Sequence, residues 1–242
     1  MTPEPWLYRD GDLDLRGELY RPSATANGAA VLVVHEADGI GGNVRRHCAR
    51  LAELGYLAAA ADLHGGGRVL DGEEMQAALR RFTDDPPTLR RRVAAALSAL
   101  TALDGVDPAR TAAIGFCFGG LAVLELARSG ASLAAVASFH GILSTRAPAA
   151  PGAIRARVLA ATGARDPLVP PEQVAAFQQE MTASEADWHL LVHGRALHSY
   201  TNRDVASLDD PRMAYDPAAH DLSWTALVTF LEQSLIGHSP ER

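Results

Sequence analysis

A cysteine with glycines two positions before and two after it, Gly115-Phe116-Cys117-Phe118-Gly119-Gly120, stands where an apolar run gives way to a helical segment. That arrangement reads as a nucleophile elbow with sulfur in place of hydroxyl. The turn from strand to helix crowds the nucleophile's neighbours, so Gly115 and Gly119 work best without a Cβ. The side chain between them is then held up where a substrate can reach it. The Phe118 N–H, at a helix N-terminus, is a natural donor to a developing oxyanion and also favours a thiolate.

A cysteine nucleophile needs a base, and the base needs a group to orient it. After the apolar run ending near Thr162 the chain reads Gly163-Ala164-Arg165-Asp166-Pro167, and after the run ending near Val192 it reads Gly194-Arg195-Ala196-Leu197-His198-Ser199. Nucleophile, acid and histidine in the order Cys117, Asp166, His198 is the α/β-hydrolase order. Taken singly, each residue has an ordinary reading as packed thiol, turn former or loop histidine. Their joint placement after successive strands carries the expectation of a catalytic set.

Glu36 follows Val31-Leu32-Val33-Val34-His35 at another strand end, and Asp38-Gly39-Ile40-Gly41-Gly42 supplies a turn able to fold over a pocket. A carboxylate there ordinarily meets solvent or caps a turn. Near Cys117 it would instead keep the thiol protonated until substrate displaces it, with the Ala37 N–H as second oxyanion donor. His140 and His64, also at strand ends, are candidates to line the pocket, as is Tyr200 just beyond His198. His189 and His193 share one strand face, but no carboxylate or cysteine motif completes a metal site around them. His35, His47, His220 and His238 have no comparable support.

The elements that must position these groups follow from the apolar pattern. Alternation at Leu13, Leu15, Gly17 and Leu19, after the turn signal Asp10-Gly11, predicts an N-terminal hairpin over about residues 6–21. Solid apolar runs suited to buried strands cover Ala29–Val34, Leu57–Ala61, Thr111–Ile114, Ala134–Phe139, Val158–Ala161 and Trp188–Val192. Helical segments lie between and after them, at Asn43–Leu54, Glu73–Arg81, Thr88–Leu103, Leu121–Arg128, Glu172–Met181 and Asp221–Leu235. Such alternation predicts an α/β fold with a mostly parallel central sheet, helices on both faces and ligands at the strands' carboxyl ends. With 242 residues, 48% of them apolar, one core suffices, and a single domain over residues 1–242 is expected. The triple glycine Gly65 to Gly67 lacks phosphate-loop spacing and reads as a flexible loop at the pocket rim.

Composition removes several classes of chemistry. All 22 basic residues are arginine, which excludes Schiff-base catalysis, covalent pyridoxal phosphate and a phosphate-loop lysine. Two cysteines, Cys48 and Cys117, allow neither a disulfide framework nor a cysteine-rich zinc site. Cys48 falls on the inward face of a predicted helix with Val44, Leu51 and Ala52, where a thiol behaves as a small hydrophobe. A formal charge of −7 and scattered arginines offer no footprint for nucleic acid, and no apolar run reaches membrane-spanning length. The expectation is a cytoplasmic protein, monomer or homodimer, with a small-molecule substrate, no metal and no organic cofactor.

The chain resembles the dienelactone hydrolase family of α/β-hydrolases at Val33-Val34-His35-Glu36, Leu54-Gly55-Tyr56 through Asp62-Leu63, Gly115 through Gly120, Phe139-His140-Gly141, Gly163 through Pro167 and His198-Ser199-Tyr200-Thr201. The resemblance implies an α/β-hydrolase fold, a Cys117-His198-Asp166 triad and a Glu36 that pairs with the resting thiol. It further implies hydrolysis of a small ester or lactone, acidic ones included, through a thioester intermediate. In the narrow dienelactone enzymes arginines hold a substrate carboxylate. Here Arg203 is displaced by one residue from the usual pattern, and Arg68, Arg80 and Arg81 fall where another clamp would lie. Arg165 and Arg195 replace an acidic residue and a glycine frequent in relatives. The same acyl-enzyme would serve an acyltransferase or cyclase, whereas a binding protein on this scaffold would have no need of the triad.

Overall fold

The computed structural model describes residues 2–23 and 25–237, so the expectation for His238 lies outside the described residues. Two antiparallel strands, β1 (Glu4–Asp10) and β2 (Leu13–Tyr20), open the chain around a turn in which Gly11 takes φ 60°. There follow β3 (Ala30–Val34), α1 (Gly42–Glu53), β4 (Leu57–Ala61), α2 (Gly72–Asp84), α3 (Pro86–Thr101), β5 (Thr111–Phe116) and α4 (Phe118–Arg128). The second half holds β6 (Ala135–Phe139), β7 (Arg157–Gly163), α5 (Pro171–Ala183), β8 (Trp188–His193) and α6 (Pro217–Leu231), which runs on into a π-helical turn at Glu232–Ile236. All eight strands form one sheet in the order β1-β2-β4-β3-β5-β6-β7-β8, antiparallel at β1/β2 and β2/β4 and parallel from there on.

A parallel strand covered by helices on both faces has no solvent side, so it reads as a continuous apolar run. In β3, Leu32 and Val34 belong to the core built with Val93 of α3 and Leu121 of α4, while Val31 and Val33 belong to the opposite core with Val44 and Leu51 of α1 and Leu227 of α6. Cys48 lies in that second core, fully buried, and burial pushes its thiol well above the ordinary range. The parallel arrangement also brings the carboxyl ends of β3, β5, β7 and β8 together, at Val34, Phe116, Gly163 and His193.

Helix starts differ from the pattern for local reasons. The α4 helix begins at Phe118, ahead of the expected Leu121, because Gly119 and Gly120 are close-packing residues and not breakers: a Cβ on Gly119 would overlap the Val34 carbonyl, and one on Gly120 would stand 2.8 Å from Gly141 Cα. Asp216 caps α6 by accepting from the Ala218 and Ala219 N–H groups, which starts that helix at Pro217 and not at Asp221. Asp85 does the same for α3, accepting from the Thr88 N–H and starting it at Pro86.

The triple glycine is not the flexible rim loop the sequence predicts. Asp62, at the end of β4, accepts the N–H groups of His64 and Gly65 on Oδ1 at 2.9 Å and those of Gly67 and Arg16 on Oδ2 at 2.8 and 2.9 Å. Positive φ at Gly65, Gly66 and Gly67, the left-handed region that glycine enters without a Cβ penalty, lets the backbone curl around that carboxylate. What looks like freedom in the sequence is a pinned turn.

Candidate active site

Cys117 occupies the single position between β5 and α4, with φ 53° and ψ −115°, a conformation that side chains rarely adopt. Its N–H donates to the Phe139 carbonyl at 3.0 Å and to His140 Nδ1 at 3.2 Å. A Cβ on Gly115 would overlap the Gly119 carbonyl, so the turn is as tight as the glycine spacing predicts. Cys117 itself is half-buried, whereas the residues on either side of it are buried.

The loops after β7 and β8 carry Asp166 and His198. They are stitched together by Ala164 N–H to the His193 carbonyl at 2.9 Å and Arg165 N–H to the Ala196 carbonyl at 3.1 Å. His198 is held further by its N–H to the Arg212 carbonyl at 3.1 Å. The result is a continuous chain of polar contacts: Cys117 Sγ lies 3.1 Å from His198 Nε2, and His198 Nδ1 lies 2.7 Å from Asp166 Oδ2. Asp166 Oδ1 accepts the Leu168 N–H at 2.8 Å, which fixes the carboxylate. Burial alone would lower the His198 pKa, but the sulfur and carboxylate at its two nitrogens outweigh it and raise the imidazole well above its ordinary value.

Glu36 sits beyond the end of β3, 9% exposed, and its carboxyl is pushed up to about 7 by burial and then by the neighbouring Asp38 charge, against the pull of His198, Asn202 and Arg46. Its hydrogen-bond partner is Asn202, whose Nδ2 stands 3.1 Å from Oε2 and 3.4 Å from Oε1. The sulfur's partner in this structure is His198, so the expected pairing of Glu36 with the thiol is replaced by two adjacent pairs, Glu36 with Asn202 and Cys117 with His198.

Two histidines brace the turn that carries Ala37. His35 Nε2 accepts the Leu63 N–H at 3.1 Å, which places its proton on Nδ1 for donation to the Glu36 carbonyl at 2.5 Å; burial, its largest influence, lowers its pKa to about 4. His64 Nε2 donates to the Ala37 carbonyl at 2.9 Å, and its ring stacks on Phe118 with centroids 6.1 Å apart. Among the described residues, neither the Ala37 N–H nor the Phe118 N–H donates to another group of the chain. The expected oxyanion donors are therefore both available.

Other expectations are corrected. His140 is fully buried, with Nδ1 accepting from Cys117 and Nε2 donating to Thr201 Oγ1 at 2.8 Å, so it positions the nucleophile turn and does not line a pocket. Tyr200 is fully buried with its hydroxyl 3.0 Å from Ser223 Oγ, in a small core with Ala196 and Ala219. Arg203 lies 5.7 Å from the Tyr215 ring in a cleft between α1 and α6, lined by Arg50 and His220 rather than by Cys117. Arg68 is paired with Glu74 at 2.6 Å, and Arg81 rests over Phe82 at 4.6 Å, both exposed on the α2 side where their charges act on His64. Arg80, Arg165 and Arg195 are exposed. Asn202, Thr201 and His35 are the residues that sequence reasoning passed over; the placement of His35 beside Glu36 was the one available signal.

No group of three or more potential ligands that could hold a metal ion occurs among the described residues, and no helix there is long and apolar enough to cross a membrane.

The family model described as "Dienelactone hydrolase family" matches residues 15–235. A probable 2-oxo-3-(5-oxofuran-2-ylidene)propanoate lactonase of Bradyrhizobium sp is 27% identical over 243 aligned residues, covering 93% of this chain and 94% of that protein. The crystal structure of a dienelactone hydrolase-like promiscuous phosphotriesterase, P91, from metagenomic libraries superposes with a TM-score of 0.89 at 38% identity, over 96% of this chain and 98% of that one. A protein named m3DLH superposes with a TM-score of 0.90 at 39% identity, over 97% and 98% of the two chains.

Proposed function

The chain belongs to the dienelactone hydrolase family, and we propose that it hydrolyses small neutral esters or lactones through Cys117, His198 and Asp166. One observation carries the reading: Cys117, His198 and Asp166 form contiguous contacts at 3.1 and 2.7 Å, and the N–H groups of Phe118, next to the sulfur in the chain, and of Ala37, next to Glu36, have no other acceptor among the described residues. Such a set has no use in packing.

The thiol proton passes to His198 Nε2, and the sulfur attacks the carbonyl carbon. As the C–S bond forms, the carbonyl π electrons move to oxygen, where the Ala37 and Phe118 N–H groups stabilise them. Collapse breaks the C–O bond; the departing alkoxide takes the proton from His198 and leaves a thioester. In a lactone that alkoxide remains part of the acyl group. Water then gives a proton to His198 and attacks the thioester, and the C–S bond breaks to return the sulfur. Asp166 holds the imidazole in the tautomer each step needs. Glu36 accepts from Asn202 Nδ2 and loses its own proton to solvent as pH rises through about 7, which changes the charge next to His198.

A neutral substrate is favoured over an acidic one because the arginines expected to clamp a carboxylate stand elsewhere: Arg203 in the α1/α6 cleft and Arg68 in an ion pair with Glu74. The likeness to P91 favours a second substrate class, neutral phosphotriesters, in which the sulfur would attack phosphorus and expel an aryloxide.

The test is turnover of a small neutral aryl ester, cis-dienelactone and a neutral aryl phosphotriester by the wild type and Cys117→Ala, with mass spectrometry of trapped protein. The expected result is an ester-derived mass increase on Cys117 and a loss of about 10³-fold or more in the variant. Acyl transfer to an added alcohol in preference to water would move the reading to a transferase. Absence of Cys117-dependent turnover of all three would move it to a binding protein.

A further inference from the structure

A cavity of about 290 Å³ opens between α1 and α6, and its walls carry Arg46, His47, Arg50, Thr201, Arg203 and His220. Arg46 is paired with Asp204 at 2.7 Å. Arg50 and Arg203 have no carboxylate within ion-pair distance among the described residues; Glu53 at the rim and Asp221 on α6 act on Arg50 only from farther away. Arg50 is instead packed against neutral groups, its Cζ 3.8 Å from the Trp224 ring and its Nη1 3.0 Å from His220 Nε2. Arg203, over Tyr215, is close enough for its like charge to act on Arg50.

His220 is 3% exposed, and because Arg50 can only donate, its Nε2 accepts while the other side of the ring meets the Thr201 backbone. That leaves the Arg50 and Arg203 guanidinium groups as the donors of the cleft, and two such groups sharing one cleft repel each other. An anion seated between them would relieve that repulsion.

We propose that this cleft binds a small oxyanion, a carboxylate or phosphate group, between the guanidinium groups of Arg50 and Arg203. The site is separate from the sulfur. Its floor residue Thr201 bonds His140 Nε2, and the His140 ring in turn accepts the Cys117 N–H, so the histidine ring stands between cleft and nucleophile turn. Cys117 does not line the cleft, and the proposed anion is a molecule distinct from the substrate at the sulfur.

The inference stands independently of the hydrolase reading and is tested by titration of the full chain with inorganic phosphate and, separately, succinate, at constant ionic strength set by chloride, followed by calorimetry. Saturable binding of at least one probe is expected, and whichever binds more tightly identifies phosphate or carboxylate as the source. Arg203→Met and Arg50→Met should each weaken it about tenfold or more, the worth of a charge-assisted hydrogen bond, while Arg80→Met on α2 leaves it unchanged. Arg203 is exposed, so its variant keeps the test intact even where loss of Arg50 impairs folding. No saturation by either probe, or affinity unchanged in Arg203→Met, overturns the proposal.

Discussion

Asn202 donates to the Glu36 carboxylate, at 3.1 Å to Oε2, from a loop that begins at the end of β8, while Glu36 stands beyond the end of β3. The two ends of the half-site are thus joined by one amide, and the carboxyl it contacts has its pKa raised to about 7. Burial, the largest cause, penalises the charged carboxylate, and the Asn202 hydrogen bond offsets part of that penalty.

Glu36 therefore makes stability depend on pH in a stated direction. The folded chain holds a proton that the unfolded chain releases above 4.5, so the stabilising contribution is full below 4.5 and is lost as pH rises through about 7. Glu36→Gln should leave the melting temperature unchanged at pH 4 and raise stability at pH 8 by up to about 3 kcal/mol. Equal melting curves of the two proteins at pH 8 would rule out the buried, proton-holding carboxyl.

Asn202→Ala removes a donor that favours the ionised form of Glu36. The Glu36 titration, followed by NMR, should then move to higher pH. Rescue of the wild-type profile by Asn202→Gln, but not by Asn202→Leu, would separate hydrogen bonding from packing.

Asp166→Asn replaces a carboxylate that is fully buried against His198 Nδ1. An amide can present its NH₂ to the imidazole and invert the tautomer, so kcat should fall by about 10³ to 10⁴ with little change in KM. The His198 pKa, measured by NMR, should fall as well, because the raising influence of the carboxylate is lost.

Gly119→Ala places a methyl group against the Val34 and His35 carbonyls, backbone atoms at the end of β3 that cannot rotate away. We expect a loss of about 3 kcal/mol in urea unfolding, the upper part of the overpacking range, together with loss of activity. Gly194→Ala, where an added Cβ meets nothing within 4 Å, is the control and should be nearly neutral.

Asp62→Ala removes the acceptor shared by the Arg16, His64, Gly65 and Gly67 N–H groups. The β4–α2 turn should lose amide exchange protection, and stability should fall by about 2 to 3 kcal/mol. Retained protection at Gly65 and Gly67 would show that the turn is held by something other than the carboxylate.

Legibility in the sequence followed the range of the forces involved. The apolar runs at Ala30–Val34 and Thr111–Phe116 signalled strands because covalent spacing and burial act within a few residues, and the glycines around Cys117 signalled the elbow because backbone crowding is equally local. Parallel strands deliver their carboxyl ends to one edge, so the order Cys117, Asp166, His198 was enough to forecast that these side chains would meet. Cap signals at Asp85-Pro86 and Asp216-Pro217 were present in the sequence as well, and they set the true helix starts.

Side-chain direction in the loops was decided by tertiary contacts alone. After His198 the backbone turns through a positive φ at Ser199, and from there Tyr200 enters a core under Ser223, Thr201 meets His140, Asn202 reaches Glu36 and Arg203 swings into the α1/α6 cleft. Nothing in the spacing distinguishes those four directions, because each is set by partners a dozen or more residues away in the chain, such as Ser223, His140 and Tyr215. The linear order of residues was enough to point to the scaffold and to the side chains proposed for the chemistry. Only the folded chain decided which neighbours hold those side chains, how Glu36 is charged, and that Arg203 lies in the α1/α6 cleft and Arg68 in an ion pair with Glu74, because most of those contacts join segments far apart in the chain.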